Sequence, residues 1–167
     1  FPLNIRQIER IRKLAEQVRL EVLVENPEGV TCLSALTECK VGVWVKVDVG
    51  NLRTGLDWQD CRGIVDLCEQ VRANPSLQLK GLLTHSGHSY KAADASAVSA
   101  IFREGIDRLC TLWDDLEKQG FSGLKISVGD TPGCSLCDDW SGADEVRPGN
   151  FVFYDAQQFT AGVCRFE

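Results

Sequence analysis

A chain of 167 residues, 44% hydrophobic and 25% charged, has globular composition and excludes a disordered segment. A net charge of −6 and a pI near 5.0 exclude nucleic acid and anionic membrane as main partners, because both require a basic face. No apolar run reaches the length of a membrane span and the opening FPLNIRQIER lacks the profile of a secretory signal, so a cytoplasmic protein is expected.

The first residues, FPL, read as a strand end. Asn4 is placed to cap a helix whose apolar stripe is Ile5, Ile8, Ile11, Leu14 and Val18. A strand over 20–24 and a short helix over 29–39 carrying Val30, Leu33 and Leu36 come next. In VWVKVDVGNLRTGL, residues 43–56, Val43, Val45, Val47 and Val49 alternate with Trp44, Lys46 and Asp48, as in a strand with two different faces. Gly50 and Gly55 bracket a tight turn that holds Arg53 over the carboxyl end of that strand.

A helix over 58–72 places Cys61, Ile64, Val65, Cys68 and Val71 on one face, and Asn74 and Pro75 end it. A strand over 79–83 runs into THSGHSY, residues 84–90. The helix over 94–118 turns Val98, Ile101, Phe102, Leu109, Leu112, Trp113 and Leu116 inward, with Gly120 as its stop. A strand over 124–126 ends in SVGDTPG, residues 127–133. A CSLCDDWSG loop then leads to DEVRPGNFVFYD, read as extended over 144–155.

Strand and helix alternate every 35–45 residues or about that, which is parallel α/β architecture. An open doubly wound sheet and a (β/α) barrel compete. No GxGxxG or GxxxxGK[ST] follows a strand, and a chain of this length supplies about five of the eight units of a barrel.

Four consecutive strand ends carry polar, glycine-bearing turns, which implies one shared site. These turns hold Arg53, then His85, His88 and Tyr90, then Ser127, Gly129 and Thr131, then Arg147 and Gly149. SVGDTPG reads as a phosphate cradle or as a plain Pro/Gly turn. Arg147 is suited to a carboxylate, and Gly149 to close approach of a ligand to the backbone. Lys46 points away from the valines, and an ion pair with Asp48 or another neighbour is its expected role. Lys80 and Lys125 lie at the wrong strand ends, and Lys91 is expected to be solvated. The eight cysteines read as reduced thiols, Cys61, Cys68 and Cys110 serving as small hydrophobes on helix faces. Cys134 and Cys137 form a CxxC in a loop, which with His85 and His88 would make a small zinc module.

Taken in order, KVDVGNLRTGL, GLLTHSGHSY, SVGDTPGCS and EVRPGNFVFYDAQQ resemble the central part of the D-threonine aldolase and D-serine dehydratase group of fold-type III pyridoxal-phosphate enzymes, which shares its barrel with alanine racemase. The resemblance implies that residues 1–167 are the central part of a cofactor-binding (β/α)8 TIM barrel, truncated at both ends, with a C-terminal β domain missing. It places Arg53 near the cofactor's phenolic oxygen and His85 beside the ring, with His88 and Tyr90 in the same loop. Ser127, Gly129 and Thr131 match the phosphate turn. Arg147 and Gly149 match the segment by the pyridine nitrogen and phosphate; whether Arg147 or Tyr90 faces that nitrogen stays open. The lysine that anchors the cofactor would precede Phe1, and the ligands of a divalent metal, zinc or manganese, would follow Glu167.

The implied activity is a lyase acting on D-3-hydroxy amino acids, by aldol cleavage or dehydration, with a small D-amino acid as partner and a homodimer when full length. An amino-acid racemase and a non-catalytic pyridoxal-phosphate-binding protein are the alternatives. The fragment alone is expected to be inactive and, with two unpaired sheet edges, prone to associate.

Overall fold

The computed structural model describes residues 3–36 and 39–165. The strand end expected at residues 1–3 therefore lies largely outside the described residues. A 3-10 turn over Ile5–Gln7, in which Asn4 Oδ1 accepts from the Arg6 amide at 3.0 Å, precedes helix α1 (Ile8–Ala15). Of the expected stripe Ile11 is buried and Ile8 packs against the core, while Leu14 and Val18 are exposed. The helix stops at Ala15, so Val18 is no longer on its face.

After β1 (Glu21–Val24), Asn26 caps α2 (Pro27–Leu33), its Oδ1 accepting from the Gly29 amide at 2.8 Å. Proline in the first turn is the matching start signal, so this helix begins before the expected Gly29 and ends at Leu33. β2 (Val41–Asp48), a two-residue β3 (Leu56–Asp57) and α3 (Cys61–Arg72) follow. β4 (Leu77–Leu83) leads through a 3-10 turn over Gly87–Lys91 to α4 (Ala95–Lys118). β5 (Lys125–Val128), α5 (Thr131–Leu136), β6 (Glu145–Val146) and α6 (Ala156–Thr160) complete the described chain. Aspartates at 60, 94, 130 and 155 cap the last four helices.

All pairings in the six-stranded sheet are parallel and its order is β1-β2-β4-β5-β6, with β3 paired to β2 alone. A doubly wound sheet reverses its strand order at a switch point. Here the order follows the sequence without reversal, so the sheet is an arc of a (β/α) barrel. The β2 valines are at most 1% exposed and join Ile64, Leu67, Phe102, Ile106 and Leu109 in the core under the helices. Lys46 and Trp44 therefore face the other way, toward the inside of the arc. Among the described residues no helix is long and apolar enough to cross a membrane.

Two expectations are corrected. Within residues 144–155 only Glu145 and Val146 pair as a strand, and residues 151–153 form an exposed turn. Pro148 has no N–H to continue the ladder. The CxxC is not a loop: Cys134 lies in α5 and Cys137 is its C-cap, because Asp-Thr-Pro at 130–132 starts a helix.

Candidate functional site

The Arg53 turn is organised by Asp48. Its Oδ1 accepts from the amides of Gly50 (2.9 Å) and Asn51 (2.7 Å), and its Oδ2 from the amide of Arg53 (3.1 Å). Gly50 and Gly55 take φ of 119° and 110°, and Leu52, 89% exposed, is forced to φ 53°. Leucine in the left-handed region costs about 1–2 kcal/mol. Leu52→Asn is therefore expected to raise stability by about 0.5–1 kcal/mol, read by chemical denaturation, since asparagine tolerates that backbone. From outside the arc Arg108 Nη1 donates to Val49 O at 2.5 Å and stacks over Trp58, clamping the turn.

His85 follows β4, and its Nδ1 lies 2.6 Å from Gly129 O in the loop after β5. A carbonyl only accepts, so Nδ1 carries the hydrogen and Nε2 keeps its lone pair. Burial, with help from Arg53 and Lys46, holds the imidazole below its ordinary pKa. His85 therefore stays neutral in the folded chain near pH 7. The unfolded state binds the extra proton between the lowered value and about 6.5, so the His85 contribution to stability is lost as pH falls through that window. An NMR titration of His85 should show a midpoint below 6.5, the ordinary value.

Beneath this loop Asp130 is 1% exposed; its Oδ1 accepts from Ser89 Oγ (2.6 Å) and from the Gly133 amide (2.7 Å). Burial pushes its carboxyl above the ordinary range. Tyr90 leans over the same corner: its hydroxyl accepts from the Thr131 amide at 3.3 Å, and its ring centroid is 6.4 Å from that of His85.

Arg147, just past β6, reaches across two strand ends. Its Nε donates to Ser127 Oγ (2.8 Å), and Nη2 donates to Thr84 O (2.6 Å) and Ser127 O (3.2 Å). Ser127 Oγ in turn donates to Glu145 Oε1 at 2.5 Å, and Glu145 lies 3.5 Å from Arg147 Nε. The Ser127 hydroxyl, expected to donate in a phosphate cradle, is thus engaged in orienting Arg147. Arg147 Nη1 has no acceptor among the described residues. Thr131 Oγ1 accepts from the Asn150 amide at 2.9 Å, and a Cβ built on Gly149 would meet only that oxygen, at 4.0 Å. The backbone above Thr131 is open to an approaching ligand.

Lys46 is 6% exposed. The expected ion pair with Asp48 is absent, because that carboxylate serves the backbone of the turn, and no ion pair to Lys46 occurs among the described residues. Burial first, then Arg53 and Arg147, lower its pKa. Lys46 thus feels the charges of both Arg53 and Arg147 in a chain of net charge −6, and among the described residues Glu145 is the one carboxylate bonded to any of these three side chains. Such a surplus of donors fits a ligand carrying a phosphate and a phenolate.

The profile of the alanine racemase N-terminal domain matches residues 3–157. The chain belongs to that family. D-serine dehydratase of Dictyostelium discoideum is 32% identical over 163 residues, covering 89% of this chain and 41% of the relative. D-threo-3-hydroxyaspartate dehydratase of Delftia sp. strain HT23 is 28% identical over 125 residues, covering 75% and 33%. The structure of that dehydratase superposes with a TM-score of 0.91 at 23% identity, over 98% of this chain and 44% of the other. D-threonine aldolase from Filomicrobium marinum gives 0.87 at 21% identity, over 99% and 46%. The chain thus spans less than half the length of these relatives, in keeping with an arc rather than a closed barrel.

In this family member Arg53, His85, Thr131 and Gly149 all follow the carboxyl ends of their strands, as one shared site requires. His88 stands apart, behind the Arg53 turn, its Nε2 3.6 Å from a Cβ built on Gly50. The zinc module finds no support: among the described residues no group of three or more His, Cys, Asp or Glu is placed to hold a metal. All eight cysteines are unpaired, and burial raises the thiols of Cys134 and Cys137 above their ordinary pKa. The roles of Asp48 and Asp130 were missed. Asp130 followed by Thr-Pro is a helix-start signal that was available in the sequence.

Proposed function

We propose that this chain forms the cofactor-binding wall of a pyridoxal-phosphate-dependent lyase acting on D-amino acids that bear a 3-hydroxyl. The observation that carries this reading is the convergence of Arg53, His85 and Arg147, from three separate strand ends, over a buried Lys46. The family and the D-serine dehydratase relative support the substrate class. When bound, pyridoxal phosphate would draw electron density from the bond that breaks at the α carbon.

Arg147 would use its free Nη1 toward the acidic edge of the cofactor, with Thr131 and the open side of Gly149 beside it and Tyr90 closing the corner. Glu145 and Ser127 hold the guanidinium in place, so its orientation is set before a ligand arrives. Arg53 would stand at the phenolic oxygen. Neutral His85, fixed through Nδ1 on Gly129 O, would take or return a proton at Nε2. The zinc or manganese ion that the resemblance implies does not fit the described residues, and its ligands would come from elsewhere in a full-length protein, which we take to be a homodimer.

Titration of the chain with pyridoxal phosphate tests the cofactor reading, with Arg53→Ala expected to weaken binding about tenfold, the worth of one charged hydrogen bond. Products formed by the full-length protein test the reaction. Ammonia and a 2-oxo acid from D-serine mean dehydration, and glycine and acetaldehyde from D-threonine mean aldol cleavage. Inversion alone means a racemase; cofactor binding without any turnover means a storage protein.

A further inference from the structure

Two half-buried side chains at the strand ends, Asn51 and His85, meet over one glycine. A Cβ built on Gly87 would lie 2.8 Å from His85 Nε2, 2.9 Å from Asn51 Nδ2 and 3.0 Å from Asn51 Oδ1. A side chain at 87 would drive these groups apart, so glycine is what lets the imidazole and the carboxamide approach each other. They come from different elements. Asn51 sits in the turn after β2, its amide held on Asp48 Oδ1 at 2.7 Å; His85 follows β4, its Nδ1 held on Gly129 O at 2.6 Å. Both are thus anchored, yet neither His85 Nε2 nor the Asn51 carboxamide has a hydrogen-bond partner among the described residues. Groups this close to one point can both bond a single oxygen placed beside it.

The chemistry of the pair selects that oxygen. Nε2 of the neutral tautomer has a lone pair and no hydrogen, so it only accepts. A carboxylate or phenolate oxygen has no hydrogen to give it, and an ammonium would meet the positive charges of Arg53 and Lys46, which both act on His85. A hydroxyl satisfies both partners: its hydrogen goes to Nε2 and its oxygen accepts from the Asn51 carboxamide. We propose that Asn51 is a specificity-determining residue of this hollow, which together with His85 Nε2 holds the 3-hydroxyl of the substrate. The inference rests on the substrate reading above and goes beyond it in naming the side chains that recognise the hydroxyl.

The test uses the full-length protein loaded with pyridoxal phosphate. Dissociation constants of D-serine and of D-alanine, which differ only by the hydroxyl, are read from the absorbance change of the bound cofactor immediately after mixing. The unaltered protein is expected to favour D-serine. Asn51→Ala should weaken D-serine binding about tenfold, the worth of one hydrogen bond in a half-buried site, and D-alanine binding by less than about twofold. Asn51→Asp keeps the shape but has no hydrogen to donate, so the same loss is expected. Gly87→Ala, by parting the carboxamide from His85, should erase the preference as well. Equal weakening of both amino acids by the Asn51 variants, or no change in either, overturns the role of Asn51 and leaves the substrate reading intact. If the unaltered protein takes up no pyridoxal phosphate, or does not favour D-serine, both fall.

Discussion

Replacing Arg147 by methionine is expected to lower stability by about 2–4 kcal/mol and to weaken pyridoxal-phosphate binding by at least about tenfold. The first effect follows from three donated hydrogen bonds to Ser127 Oγ, Ser127 O and Thr84 O, which join the ends of β4, β5 and β6. Methionine fills the space but donates nothing, so Thr84 O is left poorly paired and Glu145 loses its cation. Each charged hydrogen bond contributes about 1.5 kcal/mol, and Ser127 O keeps the Thr84 amide at 3.0 Å, which limits the loss. The second effect follows from Nη1, the one nitrogen of the guanidinium with no acceptor among the described residues. Arg147→Lys should recover some affinity through charge but little stability, since one ammonium cannot span two strand ends. Denaturant midpoints and a cofactor titration read the two effects separately. Full affinity in Arg147→Met would remove Arg147 from the site.

Gly81→Ala is expected to cost at least about 3 kcal/mol or to prevent folding. A Cβ at this position would lie 1.8 Å from Lys125 O and 2.6 Å from Lys125 N, backbone atoms of the neighbouring strand that cannot step aside. The residue also takes φ 152°, at the irregularity where the β2–β4 register shifts. Gly123→Ala is the control: φ is 70° and nothing lies within 4 Å of its Cβ, so the loss should be only the left-handed cost of about 1–2 kcal/mol. Equal losses for the two would mean that β4 and β5 are not packed as described. Because β4 and β5 present His85 and Thr131, Gly81→Ala should also abolish cofactor binding in any chain that still folds.

Periodicity was enough to place α3, α4 and the main strands within a few residues. A helix stripe and a strand alternation are each written inside one short window, and Asp60 and Asp94 cap their helices from the adjacent residue. The short α5 and α6 were not recovered, because their few turns give no stripe and only the caps Asp130 and Asp155 announce them. The extended reading of residues 144–155 failed for the opposite reason: alternating aromatic and apolar residues suit a strand, yet Pro148 breaks the ladder and Phe153 ends 88% exposed.

The site divides in the same way. That Arg53, His85, Thr131 and Gly149 belong to one rim was already legible, since each sits just past a strand and parallel strands align those ends by construction. Which group each side chain bonds was not. Ser127 engaged by Glu145 and Arg147, and Lys46 buried with no ion pair among the described residues, depend on residues brought level by strand register. Desolvation, which lowers the pKa of Lys46 and His85 and raises that of Asp130, depends on everything packed around them. Local pattern thus determined the elements and the end of the sheet where chemistry gathers; only the tertiary structure decided which charges are neutralised there, because pairing and burial are properties of neighbours far apart in the chain.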